Sequence, residues 1–478
     1  MLTEQRRRLC LAALVAALAL FYFWNLSSGS LRVWDESLTA ERSREMLVTG
    51  DWLSPHFALN PDFHKPPLYY WLTAVLLRVF GESEFAVRFW SAAFGLGCMC
   101  MIYLIATRTQ SWRAGLWAVF LLATTAPWMN YTRKGMLDSA MVLSMLGIAH
   151  ALRWGPPSSR WFRAGLWLAF GCMVKNPLPA IAFLIPILDA PTREVRRQIM
   201  RDVGRALLLG AALGLPWYGL QFIRWGHPFV ERFVIFNILR RTTTALGPLH
   251  GGPLFYFDKW WNDAPLTLAL FAACLLYGLV ADRGSLRRLR SFASMTLLIL
   301  IMLTMVSTKR DTYLLLIYPF VALFCAGILE AAFARFHNRG LRAIALAALV
   351  AASLTVFAPR FMGTPDYSSD LKNIALSLRP AAQEDDIAVT IEQTAGVLMF
   401  YSHIITRYTA ATPLEEFVAT LPRDAGLLVL LRHGQRAHMD WQRIARETGR
   451  PAPAEVCHNN IYVVLRLPPA DVASSGAD

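Results

Sequence analysis

The chain has 478 residues, of which 55% are hydrophobic and only 17% charged, with 16 Trp and 28 Phe. Soluble domains carry about 25% charged residues, so this composition excludes an ordinary soluble protein and points to one that crosses a membrane many times. The net charge of +14 does not indicate nucleic acid, because the arginines sit in short clusters between apolar runs rather than on one soluble face. The seven cysteines form neither a disulfide framework nor a metal spacing; Cys457 stands alone in the tail and the others lie within or beside apolar runs.

Arg6, Arg7 and Arg8 precede an apolar run over 9–26. That is about one membrane thickness. No small-residue cleavage site follows, so the run reads as a retained signal anchor with its N-terminus inside. The next stretch, 27–84, then falls outside. It opens with the acid pair Asp35-Glu36, continues with Glu41 and Arg44 at helical spacing, and reaches His64-Lys65-Pro66-Pro67. Residues 36–47 read as an amphipathic helix on the membrane surface. Residues 68–80 are apolar and aromatic but short for a span, and read as a second interfacial helix.

The remaining spans alternate in direction. Runs at 85–107, 136–152, 178–189, 261–281 and 312–332 go in. Runs at 114–130, 164–174, 203–222, 292–306 and 343–357 come out. About eleven spans result, and each loop placed inside carries an arginine cluster, as positive-inside topology requires. A second long external loop covers 223–260. From Pro359 onward no apolar run is long enough to span. Strand-like runs at 387–391, 426–431 and 461–465 alternate with helical ones at 369–378, 414–421 and 439–448. The expectation is a helical polytopic membrane domain over 1–358 and a small extracytoplasmic α/β domain over 359–478.

External loops of membrane proteins are poor in Lys and Arg. Here they hold Lys65, Arg133-Lys134, Lys175, Arg240-Arg241 and Lys309-Arg310, mostly as pairs at the membrane boundary. A single such cation can be a snorkelling side chain. As a set they suit an anionic lipid headgroup, because Lys and Arg clamp phosphate oxygens. Asp35 has two readings: an acid or base for chemistry, or the N-cap of the helix that follows. Asp138 likewise either caps its span or lines a cavity. His64, with Glu36, His56 and His250, supplies ligand types for a divalent metal ion, although no spacing fixes a set. No cofactor is otherwise implied.

The runs WDESLTAERSREMLVTGDWLSPHF, HKPPLYYWL and FAVRFWSAAFG resemble the first external loop of membrane glycosyltransferases of the C-type fold that use polyprenyl-phosphate sugars. The aminoarabinose transferases of lipid A and the dolichyl-phosphate-mannose protein mannosyltransferase-like proteins are the groups concerned. RKGMLDSAM, MVKNPLPAIAFLIP, LHGGPLFYF and STKRDTYLLLIYP extend the similarity to about residue 319. The resemblance implies transfer of a sugar from a polyprenyl-phosphate donor to a lipid A, glycan or protein acceptor on the periplasmic face of a bacterial inner membrane. It implies Asp35, with Glu36 beside it, as the catalytic acid pair. Lys65, Arg240, Lys309 and Arg310 would hold the lipid phosphate, and Glu41, Asp138, Lys175 and Tyr313 would line the cavity or touch substrate. Two positions depart from the aminoarabinose pattern: Leu38 stands where an Arg is common, and His64 where a Glu precedes the lysine. The sugar and the acceptor stay open. A transporter or flippase of the same sugar-lipids is the rival reading, disfavoured by the scarcity of midplane charges and the lack of a repeat pair with broken helices.

Overall fold

In the computed structural model, which describes residues 4–244, 251–335, 338–363, 366, 368–383, 385–390, 394–408, 414–436 and 439–470, the apolar runs fold as helices. Contacts divide the chain into two units. The first comprises Met1–Leu26, Phe63–Tyr69 and Arg88–Thr364; the second comprises Ser27–Asp62, Tyr70–Val87 and Pro365–Asp478.

The first unit is a bundle of helices of uneven length. Among the described residues four helices are long and apolar enough to cross a membrane: Glu84–Thr109, Arg193–Trp225, Arg283–Met305 and Gly340–Met362. A fifth is added if Phe255–Asp263 and Pro265–Val280, bent by 110° at their junction, act as one broken span. Pro265 explains the break, since a proline lacks the N–H that would continue the ladder. Several other expected spans are divided in the same manner. The run 114–130 becomes Trp112–Ala123 and Ala126–Thr132, and 178–189 becomes the 3₁₀ turn Leu178–Phe183 and the helix Leu184–Asp189. Pro127, Pro179 and Pro186 stand at or near these breaks. The long loop 223–260 is not extended: it carries His227–Phe229, a π-helix at Val230–Arg240, and the first half of the bent pair.

Small residues let these helices approach closely, which is how helices associate where no water drives them together. Gly147 lies under the indole of Trp167, where an added Cβ would stand 2.3 Å from a ring atom. Gly165 and Gly210 do the same between Arg160–Val174 and Arg193–Gly214, against Leu209 and Leu168. Trp128 is fully buried and donates to the Tyr22 hydroxyl at 2.9 Å. Arginines of the basic clusters pair with acids: Arg153 with Asp189, Arg160 with Asp202 at 2.6 Å, and Arg335 with Asp282 at 3.0 Å.

The second unit joins Ser27–Asp62 and Tyr70–Val87 to the C-terminal residues. The helix Asp35–Thr49 is followed by a hairpin of β1 (His56–Phe57) and β2 (Asn60–Pro61). Its turn residues Ala58 and Leu59 take φ of 53° and 59°, the left-handed geometry of a tight two-residue hairpin. The helix Leu68–Phe80 has the bounds expected of it. From Tyr70 onward it packs on the Asp35 helix through Met46, Tyr70 and Ala74. The C-terminal residues form a five-stranded sheet of β3 (Ile387–Thr390), β4 (Thr406–Tyr408), β5 (Leu427–Arg432), β6 (Ala454–His458) and β7 (Tyr462–Leu467). The order is β4-β3-β5-β7-β6, with β3 parallel to β4 and β5, and β7 antiparallel to β5 and β6. Strand β5, sequence LLVLLR, is buried on both faces at the sheet centre, so it reads as an unbroken apolar run rather than an alternation. The three expected strands are present within two residues of their expected bounds. Strands β4 and β6 and the helix Ala395–Ser402 were not foreseen.

Candidate active site

Asp35 begins its helix from inside. The capping position is taken by Trp34, whose φ is +81° and which provides no side-chain cap. A bulky residue held there stores backbone strain, and such strain gathers at functional sites. The turn is tied by its own side chains. Glu36 accepts from the backbone N–H of Arg32 at 2.8 Å, Ser37 donates to the carbonyl of Trp34 at 3.2 Å, and Thr39 donates to the carbonyl of Asp35 at 2.6 Å. Glu36 is buried, whereas Asp35 is half-buried.

Two helical turns on from Asp35, and so on the same face, sits Arg42. It is 3% exposed and holds Asp62 through Nε at 2.7 Å and Nη2 at 2.5 Å; Nη1 lies 3.5 Å from the Tyr70 hydroxyl. Burial opposes its charge, but Asp62, then Tyr70 and Asp35, keep the guanidinium protonated above its usual range. Glu41 is buried and receives Arg44 at 2.6 and 3.0 Å. Beside it Glu45 is pushed up to about 7, first by burial and then by the charge of Glu41. Arg42, Asp62, Tyr70 and Glu45 escaped the sequence reading. The seven-residue interval from Asp35 to Arg42 was the available signal for the first of them.

The first unit holds a group of cations. Two basic pairs far apart in sequence are joined by their backbones: Ser307 N–H donates to the carbonyl of Thr242 at 3.0 Å, and Thr308 N–H to that of Arg241 at 3.1 Å. This brings the chain segments of Arg240-Arg241 and Lys309-Arg310 side by side. Lys309 is buried, and its ammonium donates to the carbonyls of Leu303 and Thr304, closing the C-terminal end of the helix Arg283–Met305. Its Nζ also lies 5.5 Å from the ring centroid of Tyr256, and burial lowers its pKa. The Tyr256 hydroxyl accepts from the N–H of Arg310 at 3.2 Å. Arg310 is half-buried. Arg240 is exposed and lies 3.4 Å from Glu231. Arg133 serves as a second helix cap, donating to the carbonyls of Tyr22 and Trp24.

Asp138 does not cap its helix by a side-chain bond at the preceding position; it lies at the first residue and is buried. Its Oδ1 accepts from Lys175 Nζ at 2.8 Å, and that ammonium stands 5.7 Å from the ring centroid of Tyr313. Of the four residues expected to line the cavity or touch substrate, Asp138, Lys175 and Tyr313 come together here, while Glu41 belongs to the other unit. Asp311, two residues earlier, accepts from the Tyr131 hydroxyl at 2.7 Å. Lys65 is half-buried. It follows Phe63 and His64, which rest on the aromatic group of Trp217, Trp225, Phe229, Phe233 and Phe236. Among the described residues no three His, Cys, Asp or Glu side chains gather as a metal site. His64 instead stands edge-on to Phe236, and His250 lies outside the described residues.

Residues 64–216 match the family model of dolichyl-phosphate-mannose-protein mannosyltransferases. The chain is 31% identical over 282 residues to an undecaprenyl phosphate-α-4-amino-4-deoxy-L-arabinose arabinosyl transferase of Pseudomonas fluorescens, covering 56% of this chain and 46% of that protein. It is 30% identical to the corresponding transferase of Pseudomonas aeruginosa, covering 56% and 49%. The chain thus spans about half the length of the curated relatives it matches. Its fold matches the crystal structure of ArnT from Cupriavidus metallidurans bound to undecaprenyl phosphate, with a TM-score of 0.75 at 16% identity over 98% of this chain and 99% of that one. An oligosaccharyltransferase of Archaeoglobus fulgidus shares the fold more loosely, at a TM-score of 0.54 and 12% identity, over 88% and 69%. The chain therefore has the helical membrane fold of ArnT, with a small sheet near its C-terminus, as the sequence resemblance implied.

Proposed function

We propose that this protein is a glycosyltransferase that moves a sugar from a polyprenyl-phosphate donor to an envelope acceptor: lipid A, another glycan or a protein. The observation that supports it most is the polar cluster of Asp138, Lys175 and Tyr313, together with the joined basic segments at 240–241 and 309–310. These lie on the fold of a transferase solved with undecaprenyl phosphate. Phosphate is the leaving group in such a transfer, so fixed cations lower the barrier by meeting charge as it develops. Lys65, Arg240, Lys309 and Arg310 take that role, with Lys309 first giving up part of its hold on the helix end. Lys175, oriented by Asp138 and Tyr313, adds a further charge. Asp35 is the base for a hydroxyl acceptor; if the acceptor is a phosphate, it orients groups instead. Glu36 shapes the turn that presents it, and Glu41 contributes through its pair with Arg44.

The proposal extends to topology. About eleven spans form the C-type scaffold over 1–358 of a bacterial inner membrane protein, with the N-terminus cytoplasmic and residues 359–478 in the periplasm.

Mass spectrometry of envelope lipids and glycans tests this reading, comparing wild type, a deletion strain and Asp35→Asn at equal protein level. One species should lack a single sugar in both mutants, with the Asp35→Asn rate reduced by about 10²–10⁴-fold, the usual worth of a positioned acid or base. An unchanged envelope in Asp35→Asn beside a changed one in the deletion strain would remove Asp35 from the reaction and favour transport.

A further inference from the structure

The helix Ala395–Ser402, sequence AGVLMFYS, is buried at every position. It belongs to the same unit as the Asp35 turn. At Gly396 an added Cβ would stand 2.9 Å from Ser37 Oγ and 3.2 Å from both Leu38 N and Ser37 C. Two of those three atoms are backbone and cannot swing away, so the helix meets the Asp35 helix at its first turn with room only for hydrogen. From the same helix Tyr401 reaches the other side of the turn. Its hydroxyl accepts from the N–H of Leu31 at 3.0 Å and donates to Glu84 at 2.8 Å. Lys372 binds the same Glu84 oxygen, and Asp366 receives both the N–H and the hydroxyl of Ser30. Residues 30–31 before the turn and 37–38 after it are thus both gripped by the C-terminal segment. Between them lie Arg32–Glu36, including Trp34 at its strained φ of +81°.

A strained residue persists only where its surroundings over-determine it. Here the surroundings are contributed by distant chain, at sequence separations of 336 for Asp366 and 370 for Tyr401. We propose that Gly396 and Tyr401 are positioning residues for Asp35, and that the C-terminal α/β segment serves to set the conformation of the turn that carries it. The proposal rests on the reading of Asp35 as the acid of sugar transfer. Neither residue touches substrate; both act through the backbone of 31–38. A displacement of about 1 Å at a reacting group can cost on the order of 10²-fold in rate, so a Cβ at 396 is enough to register.

The test uses the full chain in vesicles, with sugar-linked polyprenyl phosphate as donor and envelope lipid A, glycan and protein as acceptors, all extracted from the host envelope, and release of polyprenyl phosphate as readout. Gly396→Ala should lower kcat, measured well below the melting temperature, by about tenfold or more while donor KM stays within about twofold, beside the fall in Tm that overpacking brings. Ser37→Ala, which removes the nearest atom in the way, should restore part of that loss. Tyr401→Phe should act in the same direction without rescue by Ser37→Ala. A fall in Tm with kcat below the melting temperature unchanged, or no rescue of kcat by Ser37→Ala, would reduce Gly396 to a packing position and overturn the proposal. Hydrogen exchange of 31–38 separates this from the fate of Asp35 itself. If Asp35→Asn is fully active, the reading of Asp35 fails; faster exchange in Tyr401→Phe then still supports the clamp. Unchanged exchange in both Gly396→Ala and Tyr401→Phe overturns it.

Discussion

Lys175 and Asp138 show what a single buried pair commits the protein to. Removing the lysine leaves a carboxylate that is 4% exposed without its 2.8 Å partner. The penalty for an orphaned buried charge exceeds the worth of the pair. Lys175→Ala should therefore cost about 2–3 kcal/mol, read as a fall in Tm in detergent, and Lys175→Ala combined with Asp138→Ala should cost less than the single change. A double variant as unstable as Lys175→Ala would show that the pair is not what matters there. Glu45 carries a pH dependence. Its carboxyl is pushed up to about 7 by burial and by Glu41, above the value of about 4.3 in an unfolded chain. The folded state then holds this proton more tightly than the unfolded state does. Its contribution is fully present below about pH 4.3 and is lost as pH rises to about 7, by at most about 3 kcal/mol. Glu45→Gln should flatten the fall in Tm between about pH 5 and 7; a variant with the wild-type slope would place the titration elsewhere.

At the scale of elements, helix packing turns on where a methyl group fits. Gly147 faces the rigid indole of Trp167 at 2.3 Å from an added Cβ, whereas Gly204 on the helix Arg193–Gly214 has nothing within 4 Å. Gly147→Ala should destabilise by about 1–3 kcal/mol, as overpacking does. Gly204→Ala should be neutral or stabilising by up to about 1 kcal/mol, because it only restricts the unfolded chain. Equal melting temperatures for the two variants would contradict the packing seen between Asp138–Trp154 and Arg160–Val174. The elements themselves were unevenly legible. The helix expected at 36–47 runs from Asp35 to Thr49, but it is not the amphipathic surface helix expected, because its charged residues Glu36, Glu41, Arg42 and Glu45 are buried. The helix Ala395–Ser402 was not legible, because eight buried positions in a row show no period at all. Strand β6 was hidden for the opposite reason: AEVCH at the sheet edge has too few apolar residues to stand out from loop.

For the whole molecule, the proposed orientation makes a direct prediction. Alkaline phosphatase fused after Asp478 should be active, since the enzyme needs the periplasm, and the same reporter fused at the arginine cluster near Arg197 should be inactive. The reverse pattern would invert the topology and place Asp35 on the wrong side for an envelope acceptor. The candidate site was partly legible in advance. Asp138, Lys175 and Tyr313 were singled out from motifs and do meet. Lys309 was singled out as a phosphate contact, yet its ammonium also closes a helix end. Nothing in the string STKRD says which carbonyls lie within reach.

What the sequence determined alone were local properties: which runs are apolar enough to leave water, which arginine clusters anchor them, and where acids and cations concentrate at the boundary. Hydropathy and helical period are carried by neighbouring residues, so they can be read without a fold. Only the tertiary structure decided the partners. Arg42 finds Asp62, Lys309 finds the end of its preceding helix, and Tyr401 finds the N–H of Leu31 across 370 residues. A hydrogen bond is chosen by distance and direction in space, and sequence separation carries neither.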